Sequence, residues 1–175
     1  MYFPRLYPYE MDYSYVSRLF LYSGYYGQKT FMKICCERRT PSVRFITPLK
    51  GSAMEQDSRI IDAAYIERHT LYSKYRYIIG EKNAMDVFQG MLLGAPDVDL
   101  MAKIPTTDRY SSNLCYCPKC AEYQRRQYGE AVWDVRAQRG RICQLHKIPV
   151  VLTDIPLMPS RNLSLITAEE AIPQN

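Results

Sequence analysis

A chain of 175 residues with 47% hydrophobic content can bury one core, or two small ones if a metal helps the smaller. No apolar run approaches the roughly 18 residues of a membrane span, and Met1-Tyr2-Phe3-Pro4-Arg5 lacks the charged-then-apolar layout of a signal peptide, so a cytoplasmic protein with reduced thiols is expected. The formal charge of +5 permits nucleic-acid binding without demanding it, and 16 tyrosines supply apolar rings with a wet end, as interfaces require.

Residues 1–11 form a Tyr/Pro-rich lead-in without a period. Asp12 is suited to cap a helix, and Val16, Leu19, Phe20 and Ser23 fall at i, i+3, i+4 and i+7. This predicts an amphipathic helix over 13–23, stopped by Gly24. After Gly24-Tyr25-Tyr26-Gly27, a second helix over 28–37 places Phe31, Ile34 and Cys35 on one face, beside Lys29 and Lys33. Two short helices around a glycine-bounded turn have the outline of a helix-turn-helix. A basic hinge follows with Arg38, Arg39, Arg44 and Lys50, where Pro41 and Pro48 forbid a continuous helix. From Asp57 a helical period runs through Ile60, Ile61, Ala64 and Tyr65 into Glu67-Arg68-His69-Thr70-Leu71-Tyr72. The rings of Tyr72, Tyr75 and Tyr77 come next, up to a break at Gly80. Ala84, Phe88, Met91 and Leu92 mark a further helix closed by Gly94, and residues 95–113 are turn-forming punctuation suited to a boundary.

Beyond that boundary stands Cys117-Pro118-Lys119-Cys120 and, after 22 residues, Cys143-Gln144-Leu145-His146. Each knuckle offers two soft ligands two residues apart, and Cys117, Cys120, Cys143 and His146 together can close a tetrahedron around one Zn2+ ion. All four positions are filled, so the site reads as structural, without an open position for hydrolytic water. Counting three thiolates and the dication lowers the formal charge to about +4. The alternative is a redox pair at Cys117 and Cys120 with His146 incidental. Such pairs sit where a strand meets a helix, and Leu114-Cys115-Tyr116 offers only a very short strand. Cys115 reads as a buried thiol rather than a competing ligand, Cys35 as core, and His69 as a structural hydrogen-bonding group. Cys36 lies beside Cys35 with no histidine near it in sequence. A zinc deaminase would need His-x-Glu upstream, which His69-Thr70-Leu71 does not supply, and neither a phosphate-binding glycine loop nor a nucleophile elbow is present.

The insert between the knuckles carries Arg125, Arg126, Arg136, Arg139 and Arg141, with Trp133 expected as its core. This cluster and that of Lys29, Lys33, Arg38, Arg39 and Arg44 read either as solvated faces or as surfaces binding DNA or a partner. The Thr30, Lys33 and Glu37 face of the second helix is thin for base readout, which with the tyrosine excess points towards protein recognition. The tail from Val150 is apolar and then polar, with Pro156 and Pro159, and shows no fold of its own.

Three stretches, in one order along residues 5–150, resemble the TniQ family, and more narrowly its TnsD-type members. Tyr13-Ser14 through Arg18, Tyr22 and Gly24 is similar to the first helix of that family's N-terminal helix-turn-helix, and His69-Thr70-Leu71 to a short motif between its two parts. Tyr116 to Cys120, Tyr128-Gly129-Glu130-Ala131-Val132-Trp133 and Cys143-x-x-His146 resemble its zinc-finger signature. Where the family usually has a His-Gln-Leu-Pro-like stretch and a Pro-Lys-His-Gly knuckle, this chain has Arg136-Ala137-Gln138-Arg139-Gly140 and Gln144-Leu145-His146-Lys147. The metal ligands are kept and the finger's surface differs. TnsD-type proteins are longer, so the chain is expected to be a compact member or the N-terminal part of a longer one.

The resemblance implies a non-enzymatic adaptor of a bacterial mobile element. Such a protein marks a target, as DNA or as an RNA-guided DNA-binding complex, and recruits the transposon's AAA+ ATPase (TnsC-like), which then admits the transposase. The expected fold is mainly α: a helix-turn-helix region over 1–50, a helical connection over 51–112, a small structural zinc finger over 113–150, and a tail or the start of a downstream region over 151–175. A sequence-specific DNA-binding regulator and a pure protein adaptor to an RNA-guided effector complex are the rivals.

Overall fold

The computed structural model describes residues 1–105, 113–157 and 164–174. The fold is mainly helical. Among the described residues there are nine helices and a single two-stranded sheet, and none of these helices is long and apolar enough to cross a membrane.

Helix α1 (Asp12–Tyr22) begins one residue earlier than the periodicity predicts, because Asp12 does not cap it. Met11 holds the cap position, and the Asp12 carboxylate turns inward to accept from the Thr47 amide at 2.7 Å and the Tyr65 hydroxyl at 2.6 Å. Gly24, at φ +77°, turns the chain where a side chain would be strained. Helix α2 (Gln28–Cys35) is shorter than the expected 28–37, since the backbone extends at Cys36, which bridges to Leu49. Phe31 and Cys35 are buried as expected, but their companion is Met32; Ile34 is 49% exposed.

The basic hinge is interior only in its middle, since Arg39 is exposed and Arg38 and Lys50 are half-buried. Residues 41–47 are all buried and lead to α3 (Gly51–Glu55). The helical period from Asp57 fails physically: Asp57 turns back to bond the Arg59 backbone and guanidinium, and Ile60 is 78% exposed. A helix starts only after Asp62, whose carboxylate caps the Tyr65 amide at 2.7 Å. That helix, α4 (Ala63–His69), buries Tyr65, Ile66 and His69 and leaves Ala64 in water. The short α5 (Tyr72–Tyr75) buries both its end tyrosines, whereas Tyr77 is exposed.

Helix α6 (Glu81–Leu92) turns Ala84, Val87 and Met91 inward and leaves Leu92 outside. Residues 97–102 form α7 (Asp97–Ala102) rather than punctuation, with Leu100 and Ile104 in the core. A Cβ on Gly90 would lie 2.5 Å from the Leu100 side chain, so that glycine lets the two segments touch. Residues 106–112 of the expected boundary lie outside the described residues.

Strand β1 (Asn113–Tyr116) pairs antiparallel with β2 (Val151–Pro156), Cys115 opposite Leu152. Between them come α8 (Pro118–Tyr128), ended by Gly129 in the left-handed region, and a 3-10 turn over Val135–Arg139. The tail therefore does have structure: β2 completes the sheet, and Leu157, Leu165, Ala168 and Ile172 enter the core. The short α9 (Ala168–Ala171) starts from a capping box of Thr167 and Glu170. Pro159 lies outside the described residues.

One buried cluster runs from Met11 to Ile172, and Trp133 belongs to it. This corrects the expectation that Trp133 is the core of the metal-bound insert. Its amide donates to Ser14 Oγ at 3.1 Å, its carbonyl accepts from the Met11 amide at 2.8 Å, and its indole Nε1 donates to the Ile166 carbonyl at 2.9 Å. So large a ring needs the bigger core; a metal knuckle supplies a cross-link rather than volume. Beside it, Arg18 sits between Glu10 at 2.9 Å and Glu130 at 2.7 Å, under the ring of Tyr7.

Candidate metal centre

Cys117 ends the strand and caps α8, Pro118 opens the helix where a missing N–H costs nothing, and Cys120 follows in the first turn. This strand-to-helix turn puts both sulfurs on one side. The junction is the kind a redox pair prefers, yet its setting differs. Cys143 and His146 arrive on a second knuckle whose ends are tied by the Val150 amide to the Arg141 carbonyl at 3.0 Å. Inside it, the Cys143 amide donates to Ile148 at 2.8 Å and the Lys147 amide to Cys143 at 2.9 Å, with Lys147 at φ +55°.

The four ligand atoms lie within 4.8 Å of one another. His146 Nδ1 is 3.4 Å from Cys120 Sγ, 3.5 Å from Cys117 Sγ and 3.7 Å from Cys143 Sγ, and Cys120 and Cys143 are 3.8 Å apart at sulfur. Zinc bonds of about 2.3 Å to sulfur and 2.05 Å to nitrogen give tetrahedron edges of about 3.8 and 3.6 Å. These four spacings lie close to those edges, with the whole group inside 4.8 Å, and the Cys120 and Cys143 sulfurs are far too distant for a disulfide of about 2.05 Å. His146 is therefore an equal member of the group. Cys115 is not one: its Sγ lies 3.5 Å from the Asn113 carbonyl, outside the cluster.

The electrostatics agree. Burial pushes the thiols of Cys117 and Cys120 up, and the neighbouring cysteines add to it at Cys120, so three thiolates at this spacing repel one another. At Cys143 burial pushes the thiol up, but the amides of His146 and Leu145 with the His146 and Cys117 side chains together bring it down to about 7. A dication resolves the repulsion. The four residues can hold one metal ion, with Ile148 and Val150 packed against the sulfurs.

His69 has the structural role expected of it, donating from Nδ1 to the Glu10 carbonyl at 2.6 Å. Cys35 is buried, and burial raises the Cys36 thiol to about 12, an inert group.

The basic residues divide sharply. Lys29, Lys33, Arg39 and Arg141 are exposed and have no ion-pair partner among the described residues. Arg126 is exposed and pairs with Glu122 one turn away. Arg38 is tied to Asp97 and to the Gly94 and Ala95 carbonyls. Arg44 is 2% exposed, with Nε on the Leu157 carbonyl at 3.0 Å, so it cannot reach a surface partner; it lies in the buried 41–47 segment. Arg125 holds Glu169 and the carbonyls of Ile172 and Pro173, Arg136 pairs with Asp134 and covers the Tyr9 ring, and Arg139 reaches the Glu67 carbonyl at 3.3 Å. Gln138, which supports the strand before Cys117, has no motif that would have revealed it.

The family model described as TniQ matches residues 1–150, which spans both α1–α2 and the four ligands. No curated protein matches the chain.

Proposed function

The chain belongs to the TniQ family, and on that footing we propose that it is a target-selection protein of the TnsD kind, one that binds target DNA or a DNA-bound complex and recruits the transposon's AAA+ ATPase. TniQ membership supports a role in transposition, in a family of non-catalytic adaptors. What supports the finer reading is that a single family match takes in α1, α2 and the four residues that can hold a metal together. On this reading Cys117, Cys120, Cys143 and His146 hold a structural Zn2+, which clamps the start of α8 to the 141–150 knuckle and leaves no position for reacting water. The exposed cations Lys29, Lys33 and Arg39 lie on α2 and its exit and meet the phosphates of the target.

A gel-shift salt titration on duplex DNA, run beside a pull-down with the cognate ATPase, tests this. Capture of the ATPase together with salt-sensitive DNA binding is the expected result. A chain that binds neither at low salt is no such adaptor.

A second reading keeps the ATPase and drops free DNA. Ile34, 49% exposed on α2 next to Lys33, offers an apolar contact that a protein surface can bury. In that case the α1–α2 region docks on an RNA-guided effector complex, and the pull-down succeeds where the gel shift fails.

A further inference from the structure

Between the N-terminal loop and α4 lies a cleft of about 450 Å3, within the size range of ligand sites. Arg5, Tyr7, Tyr9, Arg68 and His69 are among the residues that line it, and no acidic side chain contributes. Arg5 and Arg68 are exposed and have no ion-pair partner among the described residues. The neighbouring carboxylates are already committed: Glu10 is buried on Arg18, Asp134 is paired with Arg136, and Glu67 with Arg76. The cleft is thus a positively charged recess.

Tyr9, one of the lining residues, is held on one side. The Arg136 guanidinium covers one face of the Tyr9 ring at 4.2 Å from the centroid, and Asp134 fixes that guanidinium in turn. Tyr9 sits at φ +60°, a conformation in which a tyrosine is rare. It is held there by the Val135 amide on its carbonyl at 2.9 Å and by the turn from Glu10 to Tyr7 at 3.1 Å. A glycine or asparagine would fill that backbone position with less strain. The ring itself is then the reason for a tyrosine.

We propose that this cleft binds one unpaired nucleotide of a nucleic-acid strand, the base stacked on the open face of Tyr9 and the phosphate held by Arg5 and Arg68. A base within a duplex has its faces covered by its neighbours, so only an unstacked base can lie on the ring. A target opened by a guide, or a structured RNA with a flipped base, presents such a nucleotide. The site rests on the reading that this chain meets nucleic acid at its target, but it does not involve the ATPase.

The test measures anisotropy of a labelled oligothymidine strand and of a blunt duplex with the metal-loaded full chain, across a salt titration. Tyr9→Asn keeps a residue that accepts positive φ and removes the ring; it should weaken oligothymidine binding about tenfold or more. Arg5→Gln with Arg68→Gln should flatten the log–log salt slope by about 0.7, one phosphate's worth on a single strand. Metal content and melting temperature report whether Tyr9→Asn folds, and the exposed arginine pair reads the cleft if it does not. No oligothymidine binding at low salt overturns the proposal, and so does either folded variant binding like the parent. Loss of ATPase capture with oligothymidine binding intact counts against the adaptor reading alone.

Discussion

Gln138 closes both ends of its side-chain amide on the backbone of Cys115, Oε1 accepting the Cys115 N–H at 2.9 Å and Nε2 donating to the Cys115 carbonyl at 2.6 Å. One side chain thus acts as a third strand for β1, two residues before Cys117. Gln138→Leu keeps the volume and leaves a buried amide and carbonyl unpaired, each worth about 1–3 kcal/mol. The variant should lose about 2–4 kcal/mol in urea denaturation and bind metal more weakly in a competition with a chromophoric chelator. Parental values for both would reduce Gln138 to filler.

Metal removal should act locally first. Structural zinc sites are worth about 10–16 kcal/mol in isolated finger peptides, but here Trp133 belongs to the large core and not to the knuckles. A chelator, or Cys143→Ser, should lower the melting temperature and raise hydrogen exchange at residues 117–121 and 141–150. Trp133 emission should stay that of a buried indole until the whole chain melts. Protein that melts and exchanges identically with and without chelator has no structural ion at this site.

Asp12 and Arg59 are both inside the protein, at 0% and 1% side-chain exposure, and Arg59 also holds Asp57. Burial alone would lower the Arg59 pKa; its three neighbours Asp12, Tyr65 and Asp57 outweigh that and keep the guanidinium charged. Arg59→Met strands a buried carboxylate and should cost about 3–5 kcal/mol. Asp12→Leu with Arg59→Met should recover only part of it, because the Thr47 amide and Tyr65 hydroxyl lose their acceptor. A double-mutant cycle with no coupling would show that the pair does not act as a unit.

Glu169 joins the tail to α8, accepting from the Ala131 amide at 2.8 Å and from Arg125 at 2.8 Å. Burial raises its pKa, but the Ala131 amide and the Arg125 guanidinium overcome this and hold it below the ordinary 4.5. A lowered folded-state value means stability that is present above pH 4.5 and lost as the pH falls through the lowered value. Glu169→Gln should therefore be less stable than the parent at neutral pH, and the gap should close in acid. A gap that is constant with pH would assign the effect to lost packing instead of charge.

The Cys117, Cys120, Cys143 and His146 group, which can hold a metal ion, was legible because two such residues per knuckle at fixed spacing need only a local turn, and such turns fold alike in most settings. Gly24 and Gly94 were legible for the same reason. The failures were tertiary. Asp12 was read as a cap from its neighbours in sequence, but its partners lie 35, 47 and 53 residues away in Thr47, Arg59 and Tyr65. Ile60 kept a helical period that the Asp57–Arg59 contact overrides. Arg44 looked like a surface cation because local sequence carries no sign that 41–47 is buried. The tail looked unstructured because β2 and Leu165 find their partners only across the chain.

That burial separates the cations into two kinds by experiment. Lys29, Lys33 and Arg39 are exposed, so replacing all three by glutamine should leave the melting temperature within a degree or two of the parent's, as surface changes do. If they meet duplex phosphates, the same variant should reduce the slope of log affinity against log salt by about 2.7, at roughly 0.9 for each phosphate. Arg44→Gln should do the reverse. It leaves the Leu157 carbonyl without its donor and opens a void beside Tyr75, so stability falls by about 2–4 kcal/mol. The salt slope of the folded fraction should not move. A triple variant with an unchanged slope would transfer the role of α2 to protein recognition, where Ile34 already points.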